Sequence, residues 1–199
     1  MKLYASLTSP YARKVRICLI EKGLDYDFVV EAPSDPNANV VRLNPLGKVP
    51  LLQCDDGEVV FNSPMIVEYI DSLEGVALIP TSVKRLHVQR WHALGDGIVD
   101  AVVARMLELR RAIEHQDAAV IKKQETKVAA ALDFADEHYQ GGEFIEGGQF
   151  SLADIALAVA LEYIDFRYPH DWRSIHPRLA EWLNGINQRP AFLSTVAQE

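Results

Sequence analysis

The sequence predicts an α/β unit with a mixed sheet, followed by an all-helical domain. Three observations carry this expectation. The first 75 residues alternate strand and helix patterns, everything after about residue 85 reads as helix, and the segment "EGVALIPTS" (74–82) separates the two. The expected boundaries are 1–77 for the α/β domain and 84–199 for the helical one.

In the first domain "KLYAS" (2–6) is a strand, and Pro10 to Lys22 is a helix with apolar residues at Val15, Ile17, Cys18, Leu19 and Ile20, closed by Gly23. "YDFVV" (26–30) supplies the next strand, which completes a βαβ unit with a right-handed crossover. The polar stretch "EAPSDPNANVVRLNPLGK" (31–48) reads as irregular. "VPLLQ" and "EVVFN" flank "CDDG", whose Asp56-Gly57 pair signals a hairpin, and a helix starts within "NSPMIVEYIDSL" (62–73). The order is β-α-β, connection, β-β-α.

In the second domain a helical pattern runs from Lys84 to about Glu114, with Gly95 and Gly97 as an expected kink. Another spans about Asp117 to Tyr139. The glycine-rich loop "QGGEFIEGGQ" leads into "SLADIALAVALEYIDF", and the last expected helix begins at "HPRLAEWL". Ser151 and Asp154 fit the S-x-x-D capping pattern, so their expected role is folding.

Bulk properties exclude several classes. The chain has 49% hydrophobic and 24% charged residues, as in ordinary globular enzymes. A net charge of -8 argues against a general nucleic-acid binder, whose phosphate contacts need an excess of Lys and Arg. "MKLYAS" enters a strand without the apolar core of a signal peptide, and "IALAVAL" (155–161) is too short to span a bilayer, so no membrane association is expected. Cys18 and Cys54 make no CxxC pair, which suits a reducing, cytoplasmic location. His87, His92, His115, His138, His170 and His176 form no HExxH or other close ligand set, so no metal is expected.

Three proline-bearing motifs remain: "TSP" (8–10), "KVP" (48–50) and "NSP" (62–64). In the first and last, Ser9 and Ser63 are expected as N-caps, with Pro10 and Pro64 as first helical residues. Such helix starts expose free N–H groups and a partial positive charge, which suit a carboxylate or a thiolate. Each is also satisfied as a bare cap. A proline after Val49 at a strand entrance is either an ordinary trans residue or a cis one that turns the Val49 backbone groups outward.

The strand and helix order, with "NPLGKVPLL" (44–52), "NSPMIVEYI" (62–70) and "SLADIALA" (151–158), resembles the glutathione transferase family over essentially the whole chain. The pattern is nearest to small bacterial members that begin with "TSP" and carry a stretch like "ALGDGIVDA" (93–101). This resemblance implies a thioredoxin-like first domain that binds glutathione, and a helical domain that supplies an electrophile pocket and dimer contacts.

It further implies a cis Val49-Pro50 bond, with Val49 pairing the cysteine backbone of glutathione. Ser63 and Asn62 would hold the γ-glutamyl end, although Asn62 stands where Glu or Gln is commoner. Lys48 would meet the glycine carboxylate, and Asp96 or Asp100, four apart on one helix face, the γ-glutamyl amine across a homodimer. Ser9 takes the thiol-activating position, with Thr8 a rival and Tyr11 in reach, while Tyr4 lies too early. The implied activity is conjugation of the glutathione thiolate to small hydrophobic electrophiles in detoxification, together with a glutathione peroxidase activity at the same site. The alternative is a non-catalytic glutathione-binding or regulatory protein on the same fold.

Overall fold

The computed structural model describes residues 1–146 and 148–198, so Gly147 of the glycine-rich loop and Glu199 lie outside the described residues. The chain divides into two compact units, residues 1–79 with 190–199, and residues 80–189. The sequence reading carries the helical domain through residue 199; among the described residues, 190–198 group with the first unit.

The first unit is built on strands β1 (Lys2–Ala5), β2 (Asp27–Val30), β3 (Leu51–Gln53) and β4 (Val59–Phe61), with α1 (Pro10–Glu21), α2 (Asn39–Leu43) and α3 (Ser63–Ser72). The sheet order is β2-β1-β3-β4. β1 runs parallel to β2 and antiparallel to β3, and β3 is antiparallel to β4, so the sheet is mixed as expected.

Alternation along the strands gives each sheet face its own core. Leu3 and Leu52 are partners in the ladder and fully buried, as are Ile17 and Leu19 of α1 and Ile66 and Ile70 of α3. The opposite face gathers Tyr4 and Leu51 with Ala38 and Val40. The stretch read as irregular thus contains a short helix, α2, that covers this second face. Five residues are too few to show a helical period, and a carboxylate eight residues before the helix caps it. Glu31 accepts hydrogen bonds from Asn39 N at 3.1 Å, Asn39 Nδ2 at 2.6 Å and Val40 N at 2.9 Å. These bonds hold the Glu31 carboxyl below its usual range, against the opposing effect of desolvation.

The exit of the unit is pinned by a buried ammonium. Lys22 Nζ donates to the carbonyls of Asp71 and Val76, both at 3.1 Å, and lies 3.8 Å from Asp71 Oδ1. Asp71 in turn accepts from Leu78 N at 2.6 Å and Ile79 N at 3.3 Å. The terminal helix α9 (Pro190–Leu193) packs on α1. Arg13 Nη2 donates to Phe192 O at 3.4 Å, and Arg16 Nη2 to Ser194 O at 3.3 Å.

The second unit holds α4 (Lys84–Leu109), α5 (Ala118–His138), α6 (Leu152–Arg167), α7 (Trp172–Ile175) and α8 (Pro177–Ile186). α7 and α9 escaped the sequence reading because each is only four residues long, and α8 is therefore not the last helix. α4 runs as one continuous helix through Gly95 and Gly97. Gly95 is there for close packing, because a Cβ at that position would lie 2.6 Å from the Ala156 carbonyl oxygen of α6. α4 also ends five residues before Glu114. Gln116 Nε2 reaches back to cap the carbonyls of Leu109 and Arg111 at 3.1 and 2.9 Å, and a 3₁₀ turn follows at Ile113–His115.

α6 is buried along nearly its whole length. Its N-terminus carries the expected capping box, with Asp154 Oδ2 accepting from Ser151 N at 2.8 Å. Asp154 Oδ1 also accepts from Ile145 N at 2.7 Å and anchors the preceding loop. Burial pushes the Asp154 carboxyl up to about 6, despite these hydrogen bonds.

Candidate functional site

The ladder registers bring the three proline motifs to one end of the sheet. Tyr4 of β1 pairs with Leu51 of β3, and Leu51 with Phe61 of β4. The carboxyl end of β1, the start of β3 and the carboxyl end of β4 therefore coincide. Ser9, Val49 and Ser63 each lie a few residues beyond those points.

Ser9 is the N-cap of α1, with extended backbone, and its Oγ accepts the Ala12 N–H at 3.2 Å. A hydroxyl has one proton and two lone pairs, so this bond leaves the proton to be donated elsewhere. Pro10 occupies the first helical position, and no acidic residue sits in the first turn to offset the positive helix end. Arg13 and Lys14, one turn on, are both buried, and the Arg13 guanidinium donates to Thr195 Oγ1 and Phe192 O, both at 3.4 Å. Thr8 and Tyr11 are half-buried beside Ser9 in sequence. Tyr4 is buried in the strand and donates to Gln53 Oε1 at 3.2 Å, away from the helix start in register.

The Val49–Pro50 peptide bond is cis, as the resemblance implied. Val49 is half-buried and precedes the ladder, which begins at Leu51, while the Lys48 side chain is exposed. The loop in front of Val49 is held by Asn44, which is 2% exposed. Asn44 Nδ2 donates to Lys48 O at 2.8 Å and Asn44 Oδ1 accepts from Leu46 N at 3.0 Å.

At the third motif the structure corrects the sequence. Asn62 is the N-cap of α3 and Ser63 its first helical residue, with Pro64 second. Asn62 alone connects Phe61 of β4 to Ser63, and reversing from strand to helix in one residue requires a positive φ, here 74°. With ψ at 116° the residue lies outside the left-handed helical well, and its side chain makes no cap bond. Ile66 N is bonded to Asn62 O at 3.0 Å, and Pro64 has no N–H, so the remaining first-turn donors are those of Ser63 and Met65. The Ser63 side chain is buried, Asn62 is exposed, and no acidic residue lies in this first turn either.

Asp96 and Asp100 belong to the second unit. Asp96 Oδ2 lies 3.3 Å from Nε2 of the buried His92, whose Nδ1 faces Gln89 Oε1 at 3.2 Å, whereas Asp100 is exposed. Neither cysteine stands at a helix start. Cys18 is fully buried within α1, where desolvation raises its thiol to about 12, and Cys54 is buried after β3. Among the described residues no group of three or more His, Cys, Asp or Glu side chains is placed to hold a metal, and no helix is long and apolar enough to cross a membrane.

Sequence reasoning gave no role to Asn44 or Glu31, which hold the loop in front of Val49 and the start of α2. Asn-Pro followed by Gly before "KVP" is a turn signal, but the buried amide bonding across it is visible only in three dimensions.

Comparison with known proteins agrees with this geometry. Residues 8–73 match the family described as glutathione S-transferase, N-terminal domain, and residues 100–185 match glutathione S-transferase, C-terminal domain. The uncharacterized GST-like protein YibF of Escherichia coli K12 is 35% identical over 198 residues, 98% of each chain. Glutathione S-transferase 3 of Zea mays is 31% identical and aligns over 99% of this chain and 93% of its own. A crystal structure of a glutathione S-transferase from Methylobacillus flagellatus KT with GSH bound has a TM-score of 0.95 at 42% identity, covering 99% of both chains. One from Methylobacterium radiotolerans, in complex with glutathione sulfonate, also has a TM-score of 0.95, at 34% identity over 100% of this chain and 95% of its own. With a thioredoxin-like first unit, an all-helical second unit and both domain matches, the chain belongs to the glutathione S-transferase family.

Proposed function

We propose that the protein binds glutathione at the end of the sheet defined by Ser9, Val49 and Ser63, and conjugates its thiolate to small hydrophobic electrophiles. The observation that carries this reading is the Ser9 cap: the oxygen serves Ala12 N–H, and the hydroxyl proton remains to be donated at the positive end of α1. A thiol with pKa about 8.5 needs roughly 2.7 kcal/mol to fall by 2 units. One charge-assisted hydrogen bond of about 1.5 to 3 kcal/mol, with about 0.3 to 1 from the helix terminus, supplies that.

Each remaining residue has a part in binding. Val49 pairs the cysteine backbone of the tripeptide beyond the Pro50 bend, Lys48 faces the glycine carboxylate, and the N–H groups of Ser63 and Met65 receive the γ-glutamyl carboxylate beside Asn62. In the homodimer, Asp96 or Asp100 of a partner subunit meets the γ-glutamyl ammonium.

In the reaction, the glutathione S–H proton leaves to solvent and the thiolate donates its pair to the electrophilic carbon. A C–S bond forms as the leaving group departs with its electrons, or as the adjacent carbon of an activated alkene takes a proton from water. A Ser9 hydroxyl that only donates remains unchanged throughout. The inert Cys18 thiol argues against disulfide chemistry through the enzyme itself, whereas reduction of a peroxide by bound thiolate could share the site. A cytoplasmic, detoxifying role belongs to the same proposal. Calorimetry with glutathione tests it: binding is expected, with turnover of chlorodinitrobenzene, and no detectable binding at millimolar ligand contradicts it.

A further inference from the structure

We propose that a cavity in the helical unit is a second binding site, for an amino-acid-sized zwitterion with an aromatic side chain. Glutathione binding plays no part in it. The cavity measures about 480 Å³, is lined by the loop that follows α5 and by α8, and takes no wall from Ser9, Val49 or Ser63. That size suits a small organic ligand.

Its walls are already set. Arg178 of α8 ties the two sides together, with Nη1 donating to Asp136 O at 3.3 Å and Nη2 to Tyr139 O, carbonyls at the end of α5. Tyr139 Oη donates to Gly142 O at 2.5 Å, which folds the start of the loop back on the ring. Further along, Asp154 Oδ1 holds Ile145 N at 2.7 Å, and Glu146 Oε1 accepts from Trp91 Nε1 at 2.6 Å. Phe144 meets Phe150 edge to face, and the Arg189 guanidinium lies 3.8 Å from the centre of the Phe150 ring.

The chemistry of the lining selects the ligand. Tyr139 and Trp182, both buried, set their ring centroids 6.3 Å apart, and Phe144 adds a third aromatic ring. Arg178 uses two of its five N–H donors on carbonyls, and among the described residues no carboxylate pairs with it. Glu143 and Glu181, also in the lining, form no ion pair among the described residues either. Burial raises the Tyr139 phenol, Arg178 lowers it and Glu181 raises it, so opposite charges act on one ring. With Arg189 as the second cation, a lone anion would meet two glutamates and a lone cation two arginines. A zwitterion satisfies both signs: its carboxylate meets the Arg178 guanidinium, its ammonium Glu181 or Glu143, and its ring the face of Trp182 or Phe144.

Gly185 fits the same site. It stands within α8, where glycine is a poor helix former, and a Cβ there would meet nothing within 4 Å, so packing does not demand it. It lines the cavity and leaves it open.

Titration of the full chain with L-phenylalanine, followed by the indole N–H resonance of Trp182, tests this. Saturable binding is expected with a dissociation constant of about 1 mM. Phenylpropionate and phenethylamine, each lacking one charge, should bind at least about tenfold more weakly. Gly185→Leu, which fills the open space, and Glu181→Gln should each weaken phenylalanine binding by about tenfold, and saturating glutathione should leave it unchanged. No saturable shift, equal binding of either singly charged analogue, competition by glutathione, or unchanged affinity in both variants overturns the proposal. If Gly185→Leu does not fold, the analogues and Glu181→Gln, at an exposed position, decide.

Discussion

Gly95 of α4 and Ala156 of α6 lie so close that a Cβ built on Gly95 would sit 2.6 Å from the Ala156 carbonyl oxygen. Backbone is on the far side of this contact, so no flexible side chain can yield. Gly95→Ala is expected to cost about 1 to 3 kcal/mol or more through overpacking, although Ala is the better helix former. Gly97, two residues on, has nothing within 4 Å, and Gly97→Ala is expected to stabilise by about 0.5 to 1 kcal/mol. Denaturant titration of the two variants checks both signs, and equal effects would show that the crossing is not the reason for Gly95.

Asp154 gives a pH signature. Burial raises its carboxyl from 3.8 to about 6, so between these values the folded state holds more protons than the unfolded one. Stability from this group is therefore fully present below about pH 4 and is lost as pH rises through about 6, up to about 3 kcal/mol at about 1.36 kcal/mol per unit. The difference in unfolding free energy between wild type and Asp154→Asn should fall across this window, and a flat difference contradicts it. Asp154→Ala should lower stability yet leave turnover per folded molecule unchanged.

Asn62 separates stability from binding. Its φ of 74° is a conformation that costs a non-glycine residue about 1 to 3 kcal/mol. Asn62→Gly should raise thermal stability or leave it unchanged, and Asn62→Ala should lower it by about 1 kcal/mol. Asn62→Gly should nevertheless weaken glutathione binding, because the side chain beside the γ-glutamyl group is gone. A variant that gains stability with unchanged affinity removes Asn62 from the site.

The architecture was legible wherever the sequence periodicity was long or the turn chemistry strong. α1, α3, α5 and α6 and the Asp56-Gly57 hairpin announce themselves through apolar spacing, helix stops and turn residues. What escaped is short or depends on partners distant in sequence. α2 is capped by Glu31, eight residues before it, and Gln116 caps the carbonyl of Leu109 at the end of α4. Gly95 looks like a flexible point in one dimension and is a close packing contact in three. At the site, "TSP" and "KVP" disclosed an N-cap and a cis proline, whereas the one-residue reversal after β4 moved the cap of α3 from Ser63 to Asn62.

The most direct test of the thiolate role is the ultraviolet titration of glutathione bound to Ser9→Ala, measured beside the wild type on folded protein. Loss of the Ser9 donor should raise the midpoint of thiolate formation by about 1 to 2 units, the equivalent of one charge-assisted hydrogen bond. An unchanged midpoint in a variant that still binds glutathione contradicts the assignment and moves the role to Thr8 or elsewhere.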